Sequence, residues 1–171
     1  TLYPDSTECF IRIDYDDGWQ TYCTFAFSDL FYIDNTPPST TYSLSGTMGN
    51  NGWYVSSVTV TLDPFDETSG IASTMYRING GALQTYSGPF TISSDGQYIV
   101  EYYSVDKAGN IESTKSVSFK LDTTDPVTTW KREGIDGGYG WWVSDVTVEL
   151  LFDESGSGVD YTKYRVNGNG W

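Results

Sequence analysis

The chain has 171 residues, a formal net charge of −14 at pH 7 and no histidine. An acidic chain whose nine basic residues do not cluster is a poor partner for nucleic-acid phosphates, and the absence of histidine removes the commonest general base and zinc ligand. No apolar run approaches the length of a membrane-spanning helix, so we expect no membrane insertion.

The composition favours strands over helices. Tyr, Thr, Ser and Val are abundant, aromatic residues make up 16% of the chain, and Leu and Ala are sparse. Such residues suit pleated, half-buried surfaces and are weak helix formers. No helical apolar period extends beyond a turn or two. We therefore predict an all-β fold.

The first 33 residues have the pattern of one β-hairpin. Strands are predicted at 9–15 and 19–33 around an Asp-Asp-Gly turn at 16–18. Cys9 and Cys23 lie on its two arms, and in an oxidising compartment they are expected to form a disulfide that contributes about 3 kcal/mol. The alternative is two buried thiols, because Cys packs like a small hydrophobe.

Residues 34–125 contain the complete set of strands for a β-sandwich. Alternating apolar residues and turn signals every eight to twelve residues are typical of that fold. The hairpin turn is expected at Asn79-Gly80-Gly81. The predicted strands lie at 53–62, 73–78, 89–92, 97–105 and 117–121.

Residues 126–171 repeat the front half of that unit at a constant offset of 88 residues. GWYVSSVTVTL at 52–62 matches GWWVSDVTVEL at 140–150, and SGIASTMYRING at 69–80 matches SGVDYTKYRVNG at 157–168. Residues 1–33 match 89–121 only weakly, at four positions: Ile11, Tyr15, Ser28 and Phe31. The chain is therefore predicted to hold three parts: the back half of a divergent repeat (1–33), one complete repeat (34–125) and a front-half repeat (126–171).

Three motifs carry a resemblance to a known family. Thr68-Ser69-Gly70-Ile71, Tyr76-Arg77-Ile78 before Asn79-Gly80, and Asp106-Lys107-Ala108-Gly109-Asn110 resemble the bacterial and archaeal extracellular Ig-like repeats, a fibronectin-III-like group of tandem modules in surface proteins. Residues 1–33 depart from the pattern. The resemblance implies Ig-like sandwiches, an extracellular or cell-surface location in a bacterium or archaeon, and scaffolding or binding without enzymatic activity.

Acidic loops provide candidate calcium ligands. Calcium takes six to eight oxygens from carboxylates and loop carbonyls. No cofactor is otherwise required, and the alternative role of these residues is turn formation, because Asp caps turns with its own side chain. The candidates lie in the loops after two core strands and at the repeat junctions: Asp34, Asp63, Asp66, Glu67, Asp122, Asp125, Asp153 and Glu154.

One aromatic side chain is a candidate for carbohydrate stacking. Trp53 and Trp141 are repeat-equivalent and begin core strands, so a structural role is expected for both. Trp142 replaces Tyr54 and is expected to present an exposed ring. Carboxylate pairs suited to glycoside hydrolysis lie only in short loops, and we predict no catalysis.

Two functions follow from these features. The first is a structural subunit of an extracellular surface assembly, such as an envelope layer, sheath or filament, whose half repeats join head-to-tail between chains by strand complementation. The halves could instead join within one chain, or the chain is a segment of a longer tandem array. The second function is an accessory Ig-like module of a secreted or cell-surface enzyme that binds carbohydrate. Only the first predicts self-association.

Overall fold

A computed structural model describes residues 31–166 in full and the backbone of three earlier strands, at 6–9, 12–15 and 24–27. These residues are all-β, as predicted: they form strands and one short 3-10 turn, with no α-helix. None of the described segments is a helix long and apolar enough to cross a membrane.

The N-terminal strands pair as a hairpin. They are β1 (Ser6–Cys9), β2 (Arg12–Tyr15), β3 (Thr24–Phe27) and β4 (Phe31–Ile33). β1 pairs antiparallel with β4 and β2 with β3, so the pairings nest as the sequence predicted. Cys9 lies opposite Phe31 in this ladder. Cys23 and the turn at 16–18 lie outside the described residues, and the Cys9–Cys23 disulfide stays a prediction.

A three-stranded antiparallel sheet follows in the complete repeat. Its order is β10-β7-β5, from β5 (Ser39–Ser45), β7 (Val58–Phe65) and β10 (Phe90–Ile92). Side chains of a strand point alternately to its two faces. Val58, Val60 and Leu62 are buried on one face of β7, which confirms the face predicted from their alternation.

A second sheet has five strands: β6 (Trp53–Tyr54), β8 (Ile71–Ile78), β9 (Gln84–Thr85), β11 (Gly96–Asp106) and β12 (Lys115–Leu121). Their order in the sheet is β6-β12-β11-β8-β9. Val117, Phe119 and Leu121 of β12 are buried, as their alternation predicted. Asn79 and Gly80, between β8 and β9, have φ values of 50° and 70°, the left-handed conformation that an Asn-Gly hairpin turn requires.

The prediction of one strand over 53–62 is wrong, because the chain changes sheets inside that range. β6 pairs in parallel with β12, whereas β7 belongs to the three-stranded sheet. Between them the Ser56 hydroxyl accepts a hydrogen bond from the Thr47 backbone N–H at 2.8 Å. Apolar alternation cannot reveal such a break, since the pairing partner of β6 lies in a distant part of the sequence.

Contacts divide the chain into two compact units, each discontinuous in sequence. The first comprises Thr1–Ser45, Thr59–Thr91 and Tyr98–Ser118, and the second comprises Gly46–Val58, Ile92–Gln97 and Phe119–Trp171. In the first unit, Thr40 of β5 hydrogen-bonds Ser104 of β11 at 2.6 Å, and the rings of Tyr42 and Tyr102 meet edge to face. Side chains of two different sheets therefore pack against each other, the arrangement of a β-sandwich.

The second unit contains the strands of the front-half repeat. They are β13 (Val127–Glu133), β14 (Asp136–Gly138), β15 (Trp141–Trp142) and β16 (Thr147–Asp153). β13 pairs with β16 and β14 with β15. The offset of 88 residues persists in the register, since Ser39 lies opposite Phe65 in the complete repeat and Val127 opposite Asp153 in the front half. The repeat is thus structural as well as sequential.

Candidate functional site

The front-half repeat has an apolar face that remains open to solvent. We call this surface the open face. A groove of about 630 Å³ runs along it. Its lining residues are Trp130, Val148, Leu150, Tyr164, Arg165 and Val166.

Equivalent positions in the two repeats differ sharply in exposure. Val60 of β7 is 0% exposed, whereas Val148, its counterpart in β16, is 59% exposed. In the complete repeat the sheet containing β11 and β12 contributes the other side of the core. The described part of the front half, up to residue 166, contains no counterpart of those two strands.

The counterpart of β8 is also unformed. β8 pairs with β11 from Ile71 to Ile78 in the complete repeat. The equivalent residues 159–166, all of them described, form no strand. In the complete repeat β8 is held by β11, and no strand equivalent to β11 pairs with residues 159–166 in the described part of the chain. Among the described residues, the open face therefore has neither a β8 counterpart beside it nor a second sheet over it.

The expected exposure of Trp142 is wrong. Its ring is half-buried beneath the Arg132 guanidinium at 5.2 Å, and it crowds Gly134, where an added Cβ would lie 2.8 Å from the ring. Trp141 is instead 76% exposed. Its equivalent Trp53 is half-buried, with the Lys120 amine of β12 over its ring at 5.4 Å. No counterpart of β12 covers Trp141 among the described residues of the front half. Carbohydrate binding by Trp142 stays a prediction.

A second feature is a cluster of three carboxylates in the complete repeat. Oxygens of Asp34, Asp66 and Asp106 lie within 4.8 Å of one another. The Asp66 carboxylate accepts backbone hydrogen bonds from Ser69 at 2.9 Å and Gly70 at 2.7 Å, which shapes the Thr-Ser-Gly loop. These contacts show that the loop at 66–71 and the turn at 106–110 meet in space.

Asp106 is the buried member of the cluster. Burial raises the pKa of its carboxyl group, but hydrogen bonds from Asn110 and from the Gly109 and Ala108 backbone outweigh burial, and the pKa lies below its usual value. The Asn110 side-chain amide donates to Asp106 at 2.8 Å and to the Asp34 carbonyl at 3.1 Å. Asp106 is therefore charged at neutral pH. Its carboxylate orients the Asn110 amide, which connects the turn at 106–110 to residue 34.

The front-half repeat reproduces part of this cluster. Asp122 accepts the Ser157 backbone N–H at 2.7 Å, as Asp34 accepts that of Ser69 at 3.2 Å. The hydrogen bonds from Ser157 lower the pKa of Asp122. Glu154 takes the place of Asp66 and accepts the Gly156 N–H at 2.7 Å. In both repeats, an aspartate near the start of the repeat accepts a hydrogen bond from the equivalent serine backbone N–H.

The structure brings together only some of the predicted calcium ligands. Asp66 lies in the three-carboxylate cluster, and Asp122 and Glu154 occupy the equivalent positions of the front half. The remaining candidates, Asp63, Glu67, Asp125 and Asp153, are exposed and lie outside the carboxylate cluster found among the described residues. Asp34, which the sequence also offered as a junction ligand, lies in the cluster with Asp66. Sequence reasoning missed Asp106 as a cluster member, although it lies in a motif that carries the resemblance.

Calcium binding at this cluster stays a prediction with a direct test. If calcium binds, the thermal midpoint should rise with the ion, by mass action worth about 2.7 kcal/mol at a hundredfold excess over Kd. Asp34→Asn should remove the response, and Asp63→Asn should retain it because that carboxylate lies outside the cluster. A midpoint that is identical in calcium and in excess chelator would leave these carboxylates with turn formation alone.

A buried carboxylate also links the two sheets. Glu112 accepts hydrogen bonds from the Thr40 backbone N–H at 3.0 Å and the Ser104 N–H at 2.9 Å, and it pairs with Lys115 at 3.0 Å. The Thr40 hydroxyl donates to it as well. Burial raises the pKa of Glu112, but the bonds from Thr40 and Lys115 outweigh this effect and lower the pKa overall.

Glu112→Gln is expected to destabilise the complete repeat by about 1–3 kcal/mol, because an amide leaves buried N–H groups facing a donor. Since the folded pKa is depressed, the carboxylate's contribution is present above the unfolded pKa and is lost as pH falls through the folded value. Urea unfolding of wild type and variant should therefore converge in acid. Glu67→Gln, at an exposed position, is the matched control, and equal stability of both variants at pH 7 would contradict the account.

Neither the known protein families nor the curated proteins give a match to this chain.

Proposed function

We propose that the chain is a structural subunit of an extracellular surface assembly in which copies join head-to-tail. The N-terminal hairpin of one copy, residues 1–33, completes the front-half repeat, residues 126–171, of the next. The observation that carries the proposal is the exposure of the open face at positions whose equivalents in the complete repeat are buried.

The proposal is supported by the cost of leaving this face open. Burying a Val or Leu side chain contributes about 1.5–3 kcal/mol, so several such residues together favour association strongly. Exposed apolar faces with unpaired strand edges also lead to aggregation unless they are covered. The hairpin has the needed form, since its strands pair antiparallel and the offset of 88 residues places β2 within β11 and β4 within β12.

The symmetry of the contact determines the type of assembly. Hairpin and open face are different surfaces, so the contact is heterologous, and repetition gives a filament or a closed ring. No catalytic step is part of the proposal. The extracellular location on a bacterium or archaeon rests on the family resemblance and on the cysteine pair.

Sedimentation velocity and electron microscopy of the purified chain test this function. We expect the sedimentation coefficient to grow with concentration, and micrographs to show filaments or rings. A monomer at every concentration would contradict the proposal. Retention of that monomer on a neutral polysaccharide would favour the accessory carbohydrate-binding module, for which the exposed Trp141 and the fully exposed Tyr139 are two of the exposed rings.

A further inference from the structure

The complete repeat contains a short parallel strand pair that has no counterpart among the described residues of the front half. β6 pairs with β12 so that Trp53 lies beside Lys120 and Tyr54 beside Leu121. The Tyr54 ring also meets Phe119 edge to face, with centroids 6.0 Å apart. This pair closes one edge of the five-stranded sheet.

The front half holds the equivalent of β6 with one edge open. β15 is the counterpart of β6 and pairs with β14, and among the described residues it has no second strand neighbour. Trp141, its first residue, is 76% exposed. The open edge lies where β12 pairs in the complete repeat.

The N-terminal hairpin holds a strand of the type that fills this edge. The offset of 88 residues places Phe31 at Phe119, Tyr32 at Lys120 and Ile33 at Leu121. Among the described residues, β4 pairs with β1 and has no second strand neighbour. Tyr32 is 71% exposed.

We propose that β4 of one copy adds in parallel to β15 of the next copy in a single register, with Tyr32 beside Trp141 and Ile33 beside Trp142. This inference rests on the proposed function and specifies its joint. The occupant is a second copy because its β4 has apolar residues at two of the three positions that match β12, Phe31 for Phe119 and Ile33 for Leu121. Phe119 is the residue whose ring meets Tyr54 in the complete repeat.

The joint differs chemically from the pair inside the complete repeat. There a Lys amine lies over a Trp ring, a cation–π contact. Between copies, Tyr32 and Trp141 bring two aromatic rings together, and such pairs prefer offset-stacked or edge-to-face geometry. The β4–β15 pair and the β12–β6 pair therefore use different contacts. This difference favours addition of β4 to β15 over replacement of β12 beside β6.

Disulfide trapping between two populations of the full chain tests the register. One population carries Tyr32→Cys and the other Trp141→Cys, so a 32–141 disulfide can form only between copies. Neighbouring strands lie about 4.8 Å apart, within the Cα separation that a disulfide spans. We expect non-reducing peptide mass spectrometry to show a 32–141 linkage with loss of two hydrogens. Ile33→Cys with Trp142→Cys is the second in-register pair, in case the loss of the Trp141 ring weakens the joint.

Tyr32→Cys with Asp145→Cys is the out-of-register control, and we expect no linkage from it. If the chains assemble but neither in-register pair links, or 32–145 links equally, the register is overturned while the proposed function stands. If wild type does not assemble at all, the proposed function itself fails. A bridge formed within single Tyr32→Cys/Trp141→Cys chains at high dilution would place the joint inside one chain and overturn the inference.

Discussion

Replacing Val148 with aspartate is expected to abolish assembly and to leave the complete repeat folded, whereas the same change at Val60 is expected to unfold that repeat. The two residues are equivalent, yet Val60 is fully buried and Val148 is 59% exposed. An unpaired carboxylate at a buried position costs several kcal/mol, and losses above about 4 kcal/mol suffice to unfold many small domains. At an exposed position the carboxylate remains hydrated until a partner covers it.

Circular dichroism melting and sedimentation velocity separate the two effects. Val148→Asp should keep the wild-type melting transition of the complete repeat and sediment as a monomer. Val60→Asp should lose that transition. Glu149→Gln, on the same strand as Val148, is a control that should assemble normally. Assembly of Val148→Asp at wild-type concentrations would show that the open face is not the joint.

The strands of the complete repeat could be predicted because their apolar residues alternate and their turns carry Asn-Gly or Asp-Gly. Val58, Val60 and Leu62 show this pattern within a single strand. The break between β6 and β7 could not be predicted, because it depends on pairing with β12, which lies far away in sequence. Local periodicity carries no information about such partners.

The candidate sites were harder to predict for the same reason. The cluster joins Asp34, Asp66 and Asp106, three residues from separate segments that meet only through the packing of the repeat. The exposure of Trp142 depends on Arg132, which lies over its ring. The division into a complete repeat and two half repeats stays a prediction, and the exposed positions of the open face are the observation that favours it.

Deletion of residues 1–33 is expected to abolish assembly and to leave residues 38–125 folded. The complete repeat has its own buried core from β7, β11 and β12, so it does not need the hairpin for its stability. The open face would remain without a partner, and the variant should sediment as a monomer or precipitate non-specifically. Ordered filaments or rings from this variant would contradict the role of the hairpin.

The central claim is tested most directly by adding the hairpin back. A synthetic peptide of residues 1–33 carrying Trp19→Phe is titrated into the deletion variant, so that all tryptophan emission comes from the larger chain. An isolated hairpin is at best marginally stable, so the peptide is expected to order on binding. We predict a saturable one-to-one blue shift as Trp130 and Trp141 become buried, and no shift when the deletion variant also carries Val148→Asp. No binding, or equal binding by both, would contradict completion of the front half by the hairpin.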